Sequence, residues 1–364
     1  MSVPKLRILH ETNPQKYFPA LFELAENGDV ELVGTHRYSV SKEWLRAWLR
    51  DKTPFVKRTR NALGDLAFRF KIPFVKDETI VFGFAPWDWR LLIYRQLARR
   101  NRILYQTSWH DWRFDKTPRQ PRPQWFARYM QRQWKAFVAH PNVKVIAVTP
   151  IVAQTVKQET GADATVIPHA VPEVFFKAGR TRTIRENGPL KLIYVGEISE
   201  KKGILILLDL MSRLHTKGVT LTVVGNGPLV PEVKAAQAHG VTFLGPIYDR
   251  TQLAQTMSDH DVLMLLSQRT KTWEELFGIV IVEAIAAGLA VISSDHIGPR
   301  GIFTPLGPSG LFDEIDVEAV ERHIESLAAD SEHFAIVQTQ QCALADAYSS
   351  AKVSEQWHKH LEHS

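Results

Sequence analysis

With 364 residues, 45% hydrophobic and 23% charged, a formal net charge of +6 and one cysteine, the chain is long enough for two domains that each bury a core. That composition excludes a low-complexity protein, and the lone Cys342 excludes a disulfide framework or a thiolate metal cluster. No run approaches the ~18 uninterrupted apolar residues of a spanning helix, and the opening MSVPKLRILHETNPQKYF lacks the apolar stretch of a secretory signal, so a cytoplasmic protein is expected.

In chain order, the first half offers β-rich runs at LRILH, VELVGTH, TIVFGFA, RILYQTS and VKVIAVT. They are apolar on both faces rather than strictly alternating, which suits parallel strands covered by helices. Between the second and third runs lies KEWLRAWLRDKTPFVKRTRNALGDLAFRF. There Trp44, Leu45 and Trp48 share a helical face, and Arg46, Arg50, Lys52, Lys57, Arg58 and Arg60 crowd nearby. Basic side chains beside interfacial tryptophans suit docking on anionic lipid; a helix that packs its tryptophans into the core is the alternative. His110, in LYQTSWHDW, falls just past a predicted strand end, beside Asp111. Residues 1–170 carry 28 Lys and Arg against 15 Asp and Glu, whereas the remainder carries 17 against 24. Eight of the ten tryptophans also lie in the first half. A basic, tryptophan-rich half joined to an acidic half argues for two domains with different partners. Anionic membrane, a pyrophosphate-linked ligand, nucleic acid and a merely solvated basic surface are all compatible with that asymmetry.

Residues 173–190, around FFKAGRTRTIRENGPL, read as a linker. Beyond it the strand-like runs resume at LKLIYVG, TLTVVG, VTFLG, DVLMLLS and AVISS, each followed by a helical pattern. Alternating strand and helix predicts an α/β fold of two doubly wound, Rossmann-like parallel-sheet domains, residues 1–172 and 191–345, with a cleft between them. The closing stretch 346–364 reads as a helix, with Val353 and Trp357 four residues apart, that packs back on the N-terminal domain.

Three strand ends in the second half suggest chemistry. In YVGEISEKKGILILLDLM a strand ends at Gly196 and a helix begins after Gly203, leaving Lys201 and Lys202 where a diphosphate at the carboxyl edge of a sheet needs cations. Lysines solvated before a helix are the plain alternative. VVGNGPL supplies a glycine turn at Gly225 and Asn226, a weak signal by itself. In EELFGIVIVE a helix is predicted from Phe277-Gly278 to Ala287. Amide groups at Phe277, Gly278 and Ile279, with the helix dipole, favour a diphosphate. Glu283 stands roughly 7–8 Å along the helix, about the reach from a pyrophosphate to ribose hydroxyls. Glu275, on the other side, would meet hydroxyls of whatever the diphosphate carries. A helix-dipole role for Glu275 and a solvated Glu283 form the alternative pair. SDHDV places Asp259 and Asp261 one residue apart, but at a helix-to-strand junction where polar residues belong.

Taken in order, YVGEISEKKG, VVGNGPL, VTFLGPI, DVLMLLS and WEELFGIVIVEAIAAGLAVISS resemble the C-terminal domain of retaining glycosyltransferases of family four, which have the GT-B fold. The similarity covers Leu190 to roughly Leu311. TVIPHAVPEVFF is similar to the family's inter-domain segment, with His169-Ala170 where an Asn-Gly pair is usual. The resemblance implies that Glu275 binds the transferred sugar, Glu283 the ribose and Lys202 the phosphate. Gly196, Glu197, Lys201, Gly225, Asn226, Phe277, Gly278 and Ile279 then complete the donor surface, and His110 faces the donor sugar. His110, Glu275 and Lys202 are the expected catalytic set. Two departures stand out: Glu197 replaces the arginine that usually follows the first glycine, with Lys201 and Arg300 as compensating cations, and HETNPQKYF replaces a Gly-Gly loop. The expected activity is retaining transfer from a nucleotide-diphosphate sugar to a glycan or lipid-linked acceptor of envelope synthesis. No metal or cofactor and no nucleic acid are expected. An anionic membrane surface would be met by Trp44, Trp48, Arg46, Arg50, Lys57 and Arg58, placing the protein peripherally on the inner face. The alternatives are a nucleotide-sugar epimerase or a phosphorylase on the same scaffold and, because of Glu197, a catalytically silent nucleotide-sugar-binding protein.

Overall fold

The computed structural model describes residues 3–11, 14–39, 55–109, 111–114, 121–182, 188–271, 273–307 and 309–361. The chain divides into two compact units, Met1–Ala170 with Ser350–Ser364, and Val171–Ser349.

The first unit is built on six strands, β1 (Lys5–His10), β2 (Glu31–Arg37), β3 (Thr79–Gly83), β4 (Arg102–Thr107), β5 (Val143–Ala147) and β6 (Ala164–Val166). They are ordered β2-β1-β3-β4-β5-β6, with every neighbouring pair parallel. Such a sheet needs cover on both faces, and accordingly Leu6, Ile8, Val81 and Leu104 are buried on one face and Leu9, Phe82 and Tyr105 on the other. The core is closed from the far end of the chain. Val353, Trp357 and Leu361 bury among Phe18, Leu21 and Leu24, and Ser354 Oγ donates to the Ala20 carbonyl at 3.2 Å. The helix Ser350–His358 therefore belongs physically to the first unit.

The second unit carries β7 (Leu190–Glu197), β8 (Val219–Asn226), β9 (Val241–Gly245), β10 (Val262–Leu265), β11 (Ala290–Ser294) and β12 (Leu311–Phe312). Their order is β12-β11-β10-β7-β8-β9, again all parallel. Counted from β7 this is the order 3-2-1-4-5-6 of dinucleotide-binding domains, with its reversal between β7 and β10. Connections leave the carboxyl ends of those two strands toward opposite faces, so a crevice opens there. No described residue of β10 is exposed, because its four residues VLML lie in the middle of the sheet.

Two expectations are corrected. The stretch read as linker is helical over Glu173–Arg180, with Phe175 and Ala178 buried; the charged residues line the outer face of a packed helix. The helix predicted from Phe277-Gly278 spans Ile279–Ala286, because Gly278 sits outside it in a left-handed conformation, φ 73°. Among the described residues no helix is long and apolar enough to cross a membrane.

Candidate functional site

The reversal point of the second sheet is where the predicted residues meet. Strand β7 runs out through Gly196 and Glu197 into a single turn, Glu200–Lys202, and the helix Ile204–Leu214 follows. Gly203 makes that exit possible. Its φ is 72°, and a Cβ there would fall 1.8 Å from the Leu266 carbonyl oxygen, so the lysine turn lies directly against the chain leaving β10. Gln268 N donates to the Lys201 carbonyl at 2.8 Å and ties the two exits together. On the other flank, Gly196 and Glu197 pair with Gly225 and Asn226, and a Cβ on Gly225 would meet the Gly196 oxygen at 1.8 Å. Asn226 Oδ1 accepts from Gly227 N at 2.9 Å, which closes the glycine turn.

Into this edge comes Glu275. Lys202 Nζ donates to Glu275 Oε2 at 2.5 Å, and Ser267 Oγ reaches the same oxygen at 3.4 Å. The Lys202 and Glu275 side chains are only 19% and 14% exposed, so this is a largely dehydrated ion pair. Trp273 covers the two lysines, with Lys201 and Lys202 Nζ 5.4 and 4.7 Å from its ring centroid. Glu197 pairs with Lys201 at 2.9 Å. Arg300 instead forms two hydrogen bonds to Asp295, 2.8 and 2.7 Å.

The loop that carries Glu275 is held from behind. Glu275 N donates to His296 Nδ1 at 2.9 Å. A backbone amide can only donate, so the His296 proton sits on Nε2, which lies 3.1 Å from Glu314 Oε1 without making an aligned hydrogen bond. Burial holds the His296 imidazole below its ordinary pKa, while Glu314 pulls the other way. Glu314 also accepts from Arg269 N and Nη1, both 2.7 Å. Gly298 N donates to the Glu275 carbonyl at 3.0 Å. The result is a preorganised carboxylate facing the lysine turn.

The short helix Ile279–Ala286 follows, its first turn closed by Ile281 N on the Gly278 carbonyl at 2.8 Å. Ile279 is half-buried at its start; Phe277 is packed inside, its ring 6.1 Å from Tyr348. Glu283 is 4% exposed, and Arg250 donates to its Oε1. The Arg250 guanidinium rests 4.7 Å above the Phe175 ring. Sequence reasoning had Glu283 but not Arg250, and had the lysines but neither Trp273 nor His296. Trp273 was within reach, since it stands two residues before Glu275; Arg250 and His296 carry no local signal.

Asp261 stands at the amino-terminal edge of β10, away from this site. It is buried, accepts from Arg182 Nη2 at 2.7 Å and from Lys191 N at 2.9 Å. Asp259 accepts from Gln255 at 3.1 Å. The Asp-x-Asp pair is structural. Among the described residues no cluster of three His, Cys, Asp or Glu is placed to hold a metal. His110, Trp44, Arg46, Trp48 and Arg50 lie outside the described residues, whereas Lys57 and Arg58 fall on the helix Phe55–Lys71.

Residues 178–340, most of the second unit, match the family model described as glycosyl transferases group 1. The phosphatidyl-myo-inositol mannosyltransferase of Mycobacterium tuberculosis is 33% identical over 181 residues, 46% of each chain, so this chain spans about half the length of that relative. The lipopolysaccharide 1,2-N-acetylglucosaminetransferase of Salmonella typhimurium is 23% identical over 367 residues, 95% of this chain and 86% of its own. Among solved structures, sucrose-phosphate synthase from Thermosynechococcus elongatus superposes with a TM-score of 0.69 at 17% identity over 98% of both chains. Anabaena HepE in complex with UDP gives 0.64 at 16% identity over 98% of this chain and 99% of its own. At these identities the likeness carries the fold, which is GT-B.

Proposed function

We propose that the chain is a group 1 glycosyltransferase that moves a sugar from a nucleoside diphosphate sugar to an acceptor, with retention and without a metal. The observation that carries this reading is the dehydrated Lys202–Glu275 pair at the reversal point of a sheet with dinucleotide-binding order, inside the segment that matches the family. In this reading Lys202 meets the diphosphate and stabilises the departing charge. Glu275 turns to the hydroxyls of the transferred sugar. The turn at Gly225 and Asn226 and the amides at Gly278 and Ile279 approach the phosphates through backbone, and Glu283, steadied by Arg250, takes the ribose. The family resemblance assigns His110 a role toward the donor sugar. The departing diphosphate accepts the proton of the acceptor hydroxyl, so no enzyme nucleophile is required and positioning is the protein's main contribution. Glu197 neutralises Lys201, and replacing Glu197 by Arg leaves donor affinity equal or better; a large loss would show that Glu197 has a constructive role of its own.

The acceptor is assigned to the class of lipid-linked or polysaccharide intermediates of the cell envelope. Support comes from relatives whose names include a phosphatidyl-inositol and a lipopolysaccharide and from the basic first half, with Trp44, Trp48, Arg46, Arg50, Lys57 and Arg58 as the membrane-facing set. The decisive test is turnover. The protein is incubated with UDP-, GDP- and ADP-sugars, and free nucleoside diphosphate is measured with and without EDTA. Release from at least one donor, unchanged by chelator and abolished in Glu275→Gln, is expected, with the product anomer matching the donor by NMR. No release from any donor sinks the transferase reading, and loss with EDTA sinks metal independence. Salt-sensitive sedimentation with anionic vesicles tests the membrane assignment.

A further inference from the structure

His296 is fully buried, at the point where β11 gives way to the helix Ile297–Phe303. Its backbone is fixed there, since His296 N donates to the Ser294 carbonyl and Arg300 N to the His296 carbonyl, both at 2.9 Å. Against it lies the segment that presents Glu275. Gly298 N donates to the Glu275 carbonyl at 3.0 Å, and a Cβ on Gly298 would fall 2.5 Å from Phe277 N. The two segments therefore meet backbone to backbone. The Trp273 ring, which covers Lys202, stands edge to face with the imidazole at 6.4 Å.

The bond from Glu275 N to His296 Nδ1, 2.9 Å, differs in kind from the rest of this seam, because a proton can remove its acceptor. A carbonyl oxygen accepts throughout the neutral range, whereas an imidazole nitrogen accepts only while it is unprotonated. In the imidazolium both ring nitrogens carry hydrogen, and Nδ1–H would face the Glu275 N–H. A place for the charge is at hand. Glu314 Oε1 lies 3.1 Å from Nε2, and Nε2 makes no aligned hydrogen bond where it stands. A movement of the ring that aligns Nε2 with Glu314 gives up the bond to Glu275.

The charged groups facing the ring come from three segments: Glu314 after β12, Arg269, Glu274 and Glu275 after β10, and Asp295, bound to Arg300, beside it in the chain. Burial and Arg269 favour the neutral ring, the glutamates favour the charged one, and burial prevails.

We propose that His296 is a positioning residue that reads protons: its neutral ring holds the Glu275 segment against the lysine turn, and its imidazolium, drawn to Glu314, lets that segment go. In the open segment the imidazole titrates near its ordinary ~6.5, while the closed seam excludes the proton. Below that pH the open population therefore rises toward about tenfold per pH unit. Only the effect on turnover rests on the donor role of Glu275; the seam itself does not.

Hydrogen exchange by mass spectrometry on the full chain tests the seam without any ligand. Rates are corrected for the intrinsic effect of pH, and the amides of β10 report global opening. Between pH 7.5 and 5.5 the protection of the Glu275 amide should fall about tenfold more than that of β10. In His296→Asn, Oδ1 takes the place of Nδ1 as acceptor and binds no proton, so protection at pH 7.5 is kept and the extra fall disappears. His296→Leu lacks the acceptor and should show low protection at both pH values. Equal pH dependence in the wild type and His296→Asn, or wild-type protection in His296→Leu, overturns the proposal. The consequence is read as release of nucleoside diphosphate from a donor sugar. The wild type should lose rate in acid more steeply than His296→Asn, a difference that cancels the titration of the diphosphate and of His110. Turnover with equal profiles in the two proteins overturns the positioning role. A seam that opens in exchange without turnover of any donor supports the role of His296 and removes the transferase reading.

Discussion

Replacing Lys202 by Met keeps the length of the side chain and removes the cation that faces Glu275 at 2.5 Å. Two quantities change. For stability, Glu275 loses the lysine it pairs with but keeps Ser267 and some access to water. Breaking a fully buried pair costs ~3–5 kcal/mol and an exposed one under about 1; with both groups less than a fifth exposed, roughly 1–3 kcal/mol is expected. For ligand binding, a hydrogen bond to a charged group is worth ~1.5–3 kcal/mol, which at ~1.4 kcal/mol per decade is a loss of roughly 10- to 150-fold in diphosphate affinity. Urea denaturation reports the first, and titration with UDP, GDP and ADP the second. The double variant Lys202→Met with Glu275→Gln should recover most of the stability and none of the affinity. If the nucleotide that binds best to the wild type binds the single variant within twofold, the lysine turn is not where the diphosphate sits.

Gly203→Ala forces a side chain into a left-handed backbone and onto the Leu266 oxygen 1.8 Å away; a destabilisation on the order of 3 kcal/mol, with weaker nucleotide binding, should appear in denaturation and titration, and a neutral result would mean that the two strand exits are not packed as described. Arg250→Ala strips the buried Glu283 of its guanidinium and the Phe175 ring of its cover; because Arg250 is partly exposed, a loss of about 1–3 kcal/mol is expected by calorimetry. Burial holds His260, His296 and His323 below the ordinary imidazole range. Their folded pKa values lie under the unfolded ~6.5, so their stabilisation is complete above that pH and is lost as acidification proceeds toward the folded values, by up to about 1.4 kcal/mol per pH unit for each. The urea midpoint should fall between pH 7.5 and 5.5 and fall less in His323→Leu; an unchanged midpoint contradicts the assignment.

Much of the second unit was legible because its signals are local. Runs such as LKLIYVG and DVLMLLS are continuous and apolar since both sheet faces are covered, and they became β7 and β10. The residues Lys202 and Glu275 stand at the ends of such runs, where a parallel sheet presents its connections. β6 and β12, three and two residues long, are too short to carry a periodic pattern. The linker reading failed at Glu173–Arg180 because an amphipathic helix of two turns shows only two buried residues, Phe175 and Ala178, among charges that look like loop.

The sequence by itself determined two α/β units of parallel strands, and which strand ends carry glycine, lysine and glutamate, because both follow from patterns a few residues long. Only the tertiary structure decided the strand orders, the seating of Glu283 on Arg250 and the His296 and Trp273 contacts around the lysine turn. Those depend on residues tens of positions apart, whose encounter is set by how sheets and helices stack rather than by any neighbouring letter.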